Sequence, residues 1–134
     1  MSDLDLARRA VACKGWRWLP GMRVVESRNG CDSLLGWHDD HGWNACAATG
    51  AWVRFQNADK LLPVLRDPAT RGCLLQLVRE AWGKQVYAVP ICYHERITHW
   101  LAVVPDPATD ECGWPDFYGA DEVSALIAAL EAAP

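Results

Sequence analysis

Cys31, His38, His41 and Cys46 are the residues of this chain whose types could hold a metal ion. Two thiolates and two imidazoles make a closed tetrahedral zinc site. Here the paired Cys-x2–4-Cys spacing of such sites is missing, and Asp39 and Asp40 stand between the histidines without a role. The expected reading is therefore no metal, with His38 and His41 as hydrogen-bonding loop residues. The same segment allows a nucleophile at Cys46, with His41 as base and Asp39 or Asp40 orienting the ring. No family signature accompanies it, and no GxSxG, GxGxxG, P-loop or HExxH motif occurs. The chain reads as a non-enzyme without a cofactor. A small Cys/His enzyme or a zinc protein is the last alternative.

The stronger chemistry is recognition. Tryptophan occupies positions 16, 18, 37, 43, 52, 82, 100 and 114, five of them before residue 55. Each buried indole must place its N–H as well as its apolar area, so a small domain does not collect this many for packing alone. Interfaces and ligand clefts do use Trp in this way. Arginines interleave with them. The candidate binding residues are Trp16, Arg17, Trp18, Trp37, His38, His41, Trp43, Trp52 and Arg54. The indoles could stack a nucleobase while Arg17, Arg23 or Arg54 meets phosphate, or the same residues could form a protein–protein hot spot. A small ligand requires the indoles to converge in a concavity. A protein partner requires them spread over an exposed patch.

The bulk numbers narrow the setting. At 134 residues the chain is expected to be a single domain, 1–134, able to bury roughly two thirds of its unfolded surface. Its net charge of −4 argues against direct nucleic-acid binding. Residues 1–67 carry nine Lys/Arg against eight Asp/Glu, and residues 68–134 carry four against nine. That acidic half could occupy a basic groove on a partner. Asp3 and Asp5 stand where a secretory signal would be basic, and no apolar run is long enough to span a bilayer, so a cytoplasmic protein without membrane contact is expected. Six cysteines without a CxxC pair read as free thiols in that compartment.

The elements that must position these residues follow from pattern. Ser2 and Asp5 suggest a capping box, and Leu4, Ala7 and Val11 recur on one helical face that Gly15 terminates. Trp16–Leu19 and Met22–Val25 read as two short strands about Pro20-Gly21. Asn29-Gly30 signals a second hairpin toward Leu34-Leu35. Residues 36–50 read as an irregular functional loop, the heart of a Trp/His-rich insert at about 26–58, with Trp52–Phe55 as a strand after it. Asp67 as N-cap, Pro68 as first helical residue, the stripe Leu74, Leu77, Val78, Ala81 and the stop at Gly83 define the clearest helix. Gln85–His94 and Thr98–Val104 read as a hairpin closed by Glu95-Arg96, with Pro90 implying an edge strand or a bulge. A polar loop at 105–116, a strand at Phe117-Tyr118 and a helix at Asp121–Ala133 with Val123, Ile127 and Leu130 inward complete the chain. The Asp-Pro-Ala-Thr at 67–70 returns at 106–109 as a reused turn motif. The fold class is α+β: a mixed or antiparallel sheet of about five short strands packed with three helices.

The helix, Gly-Trp, strands, helix, hairpin, helix order has three marked segments: Cys13-Lys14-Gly15-Trp16-Arg17-Trp18, Asp67–Leu75 and Ala120–Ala133. Over residues 1–25 and 60–134 it resembles the phage α-β-α sandwich domain family. The resemblance carries over no catalytic or binding residue. It implies a phage or prophage origin and leaves residues 26–58 as the part peculiar to this chain. By analogy, small phage proteins without enzymatic motifs often act against host defences. The expected partner is accordingly a host defence protein, inhibited in the manner of an anti-CRISPR. The alternative is a nucleotide-like immune signal, sequestered, and a homo-oligomer is compatible with either.

Overall fold

Antiparallel pairing organises the chain into two sheets, as seen in a computed structural model that describes residues 2–28, 30–105 and 116–134. Asn29, Cys112, Trp114, the polar loop and the second Asp-Pro-Ala-Thr lie outside the described residues. The fold is α+β, with α1 (Asp3–Ala12), β1 (Arg23–Glu26), β2 (Asp32–Asp39), β3 (Gly42–Ala47), β4 (Trp52–Phe55), a 3-10 turn (Ala58–Lys60) and β5 (Leu61–Pro63). Then follow α2 (Pro68–Trp82), β6 (Tyr87–Tyr93), β7 (Arg96–Val103), β8 (Asp116–Gly119) and α3 (Glu122–Glu131). The five-stranded antiparallel sheet expected is present, and three further strands form a second sheet. The chain divides into two compact units, residues 1–11 with 17–73 and residues 12–16 with 74–134. Among the described residues no helix is long and apolar enough to cross a membrane.

The first unit is a five-stranded meander in the order β4-β3-β2-β1-β5, every neighbour antiparallel. Its last strand returns to pair with its first. Phe55 lies on the ladder row of Trp43 and His38, whereas Leu61 lies on the row of Glu26, at the other end of β2. In a flat sheet those two residues would stand roughly 28 Å apart. The five residues between them, three in a 3-10 turn, reach no more than about 17 Å. The sheet must therefore curl, with tilted strands, into a partly closed barrel. Directly opposed residues share a face, so the register sorts the side chains. Val24, Ser33, Leu35, Ala45, Leu61 and Pro63 fall on one face and are all buried, which makes that face the inside.

Local chemistry explains the ends of the elements. Ser2 and Asp5 form the capping box, Ser2 Oγ accepting from Asp5 N–H and Asp5 Oδ2 accepting from Ser2 N–H. The buried side of α1 is Leu6, Ala7 and Ala10, with Leu4 exposed, so the expected Leu4/Ala7/Val11 face is wrong by about a quarter turn. Trp16–Leu19 is not a strand. Pro20-Gly21 does make the turn, closed by Met22 N–H to Leu19 O at 3.2 Å with Gly21 at φ +90°. Asp67 caps α2, accepting Thr70 N–H at 2.9 Å. The buried Thr70 hydroxyl accepts Arg23 N–H at 2.8 Å and so ties β1 to the start of that helix.

The second unit packs helices on a three-stranded sheet, order β6-β7-β8. Leu74, Leu77, Val78, Val103, Ile127 and Leu130 are all buried, as the helix stripes require. Trp82 is half-buried and tied into its unit: its Nε1 donates to Ala129 O at 2.8 Å and its ring meets Phe117. A Cβ on Gly119 would strike the backbone at Ser124-Ala125, so only glycine lets β8 approach α3 this closely. Pro90 sits on edge strand β6 beside a bulge at Ile91/Cys92. The hairpin turns at His94-Glu95, one residue earlier than expected, with both residues at positive φ.

Candidate functional site

Residues 36–50, expected as an irregular loop, are instead the β2–β3 hairpin and its approach to β4. The strand alternation was hidden by one residue. Leu35 faces Ala45 and Trp37 faces Asn44, so Gly36 is an extra residue in β2. Without that bulge Trp37 would share the inward face of Leu35. With it, Trp37 turns out and His38 turns in. Gly36 leaves room for the bulge and for a ring above it: Trp52 carbons lie 3.5 and 3.9 Å from where its Cβ would stand.

The outer face of the barrel thus gathers Leu34, Trp37, Cys46, Trp52, Asn44 and Arg54 on rows set by the ladder. Trp37 and Trp52 pack with ring centroids 5.0 Å apart at 55°. They remain 51% and 63% exposed, and Leu34 beside them is 40% exposed. A monomer gains nothing from leaving paired indoles in water.

A polar cluster borders the aromatic pair. Asn44, only 8% exposed, donates from Nδ2 to Asp39 Oδ2 at 2.8 Å and accepts Arg54 Nε and Nη2 on Oδ1 at 3.3 Å each. Arg54 Nη2 stands 3.6 Å from Asp39 Oδ2. The Asn44 amide, the His41 backbone N–H and the Arg54 charge hold the Asp39 carboxyl below its ordinary value. The guanidinium is therefore fixed in place before any partner arrives. Past the end of β4 an open groove of about 370 Å³ is lined by Arg54, Phe55, Gln56, Asn57 and Lys60.

Of the nine expected binding residues, Trp37, Trp52 and Arg54 share this face. His38 and Trp43 lie on the opposite face at the barrel mouth, edge to face at 5.3 Å. His41 is exposed in the β2–β3 turn. Arg17 and Trp18 precede β1, and Trp16 belongs to the second unit. Asn44 and Lys60 were not singled out from sequence. Asn44 could have been found only from its place in the alternation once the bulge is known. Cys46 sits on the row of Leu34 and Trp52, several rows from the turn that holds His41, so the two do not form a nucleophile pair. Its Sγ donates to Ala47 O. Among the described residues no three His, Cys, Asp or Glu side chains gather as a metal ion would require.

Fold and face together define a small α+β protein that presents an uncovered aromatic patch with a fixed cation at its border. No protein-family model, curated protein or solved structure matches the chain.

Proposed function

We propose that this chain is a binding protein without turnover, which holds a protein partner against the outer face of its five-stranded sheet. The observation that carries this reading is the Trp37–Trp52 pair, packed together yet more than half exposed. Protein hot spots are built from Trp and Arg at the centre of a desolvated patch, and Arg54 borders the pair. The geometry speaks against a stacked nucleobase. The two rings contact one another at 55°, so they form no parallel slot that would sandwich a third ring, and both are more than half exposed where a small-ligand cleft would enclose them. The setting in which such a binder acts follows from the family resemblance: a phage protein that inhibits a host defence protein.

The test is affinity capture from host lysate with the native chain and with the Trp37→Ala/Trp52→Ala variant in parallel. A protein retained by the first and absent from the second supports the reading. A nucleotide recovered in place of a protein, or equal capture by both chains, overturns it.

A further inference from the structure

We propose that two copies of this chain join through the free edges of β4, antiparallel about a twofold axis at Val53, into one continuous ten-stranded sheet. The occupant of the edge is a second copy, and the joint goes beyond the docking reading because it needs no other protein.

Hydrogen-bond phase shows what the edge offers. Ala47 N–H donates to Ala51 O at 2.8 Å, and Gly50, at φ +85°, donates to Ala47 O, so the β3–β4 hairpin closes on an Ala47/Ala51 pair. Bonded and non-bonded pairs alternate from there, and Val53 and Phe55 turn their main chain toward β3. Trp52 and Arg54 turn theirs off the sheet. β4 ends the strand order, and among the described residues nothing else takes up those groups. A second β4 with Val53 on the axis satisfies all of them. Trp52 N–H and O then exchange bonds with O and N–H of Arg54 of the second copy, and the axis repeats the exchange.

The side chains select this occupant. In that register Trp52 stands directly opposite Arg54 of the second copy on the outer face, where cross-strand pairs interact. Asn44 and Asp39 hold one edge of the Arg54 guanidinium and leave its flat face for an indole. Asp39 also offsets its charge, so two guanidiniums meet across the axis without net repulsion. The opposite edge of the sheet is closed to such pairing. Ser27 N–H to Lys60 O and Val64 N–H to Arg23 O set the phase of β5, and Pro63 falls where an outward donor is required. β4 has no proline. The axis runs perpendicular to the sheet, so both Trp37–Trp52 pairs come to lie on one face. A partner that is itself repeated then gains avidity.

The experiment is sedimentation velocity of the whole chain, kept reduced, from about 1 μM to about 1 mM, beside solvent-exchange NMR of its amides. So short an edge buries less than the roughly 1,200 Å² of stable complexes, and a dimer with a Kd of roughly 0.1 mM is expected. The Trp52 and Arg54 amides should exchange several-fold more slowly as the dimer fills. Trp52→Lys sets like charges across the joint twice and should weaken it about tenfold or more, whereas Trp52→Glu gives the same arginine a carboxylate and should stay within about threefold of the native chain. Trp52 is exposed, so both variants should fold. Trp37→Ala should dimerise as the native chain does. A chain still monomeric at about 1 mM, a dimer whose Trp52 and Arg54 amides stay unprotected, or equal weakening by Trp52→Lys and Trp52→Glu overturns the proposal. So does loss of the dimer in Trp37→Ala, which face-on-face association would give. No other protein is present, so the docking reading stands or falls separately on its capture test.

Discussion

The indole of Trp52 packs its outer edge against the bulge residue Gly36, and this one contact sets how the aromatic patch is displayed. A Cβ at Gly36 would stand 3.0 Å from Asn44 O and in contact with the Trp52 ring. Gly36→Val should push the indole away from Trp37 and cost roughly 1–3 kcal/mol through overpacking. The paired indoles should give an exciton-coupled signal in far-ultraviolet circular dichroism, and its collapse in an otherwise folded variant is the expected result.

Removing the patch should be nearly silent for folding. Trp37 and Trp52 are more than half exposed, so Trp37→Ala/Trp52→Ala should cost little stability while reducing partner affinity by about 2 kcal/mol or more. Trp82→Ala should do the reverse, losing roughly 3–5 kcal/mol of stability, because that indole is bonded to Ala129 inside its unit. Thermal melts beside binding titrations separate the two behaviours.

Asn44 is the link through which Arg54 is held. Asn44→Ala should destabilise the chain by about 1–3 kcal/mol, since it strips a nearly buried amide from its partners. The Asp39 carboxyl should then titrate closer to an ordinary aspartate, because the Asn44 amide is the main cause of its depression. Carboxyl-carbon NMR across the acid range reads that upward move directly.

Acid should weaken the joint between β1 and α2. Burial pushes the Asp67 carboxyl up, but the Thr70 N–H and hydroxyl and the Arg23 guanidinium outweigh it, and the net shift is downward. A carboxyl whose folded pKa lies below its unfolded value of about 3.9 contributes stability above that value and loses it as pH falls through the folded one. Asp67→Asn can still cap the helix but loses the charge that meets Arg23 and the helix N-terminus, so it should lower Tm at neutral pH by about 0.3–1 kcal/mol of stability. The gap to the native chain should close as the pH drops below 4. A gap that stays constant down to pH 2 would contradict this account.

What could be read from residues alone was whatever local rules govern. Asp67-Pro68 announced α2, Pro20-Gly21 its turn, and Val123, Ile127 and Leu130 the inner side of α3, each of them present in the structure. The fold class was legible for the same reason. The strands of the first unit were not, because the bulge at Gly36 interrupts the period-two pattern that identifies a strand, and His-Asp-Asp-His with flanking glycines imitates a loop. Trp16–Leu19 erred in the opposite direction: it alternates like a strand but pairs with nothing as one. The binding face depends on register, which no local rule supplies. That is why only Trp37, Trp52 and Arg54 of the expected set converge on it.

The short tie between β4 and β5 also governs the order in which the first unit assembles. Three of its four ladders join strands adjacent in sequence, each closed by a turn of a few residues. The fourth pairs Glu26 with Leu61 and Val24 with Pro63, and it bears nearly all the loop-closure entropy of the unit. The hairpins from β2 to β4 should form in the folding nucleus, and β5 should dock after the rate-limiting step. Substitutions at Ala45 would then slow refolding, while substitutions at Leu62 would chiefly hasten unfolding. On that order, the surface bearing Trp37 and Trp52 exists in the nascent chain before its barrel is shut.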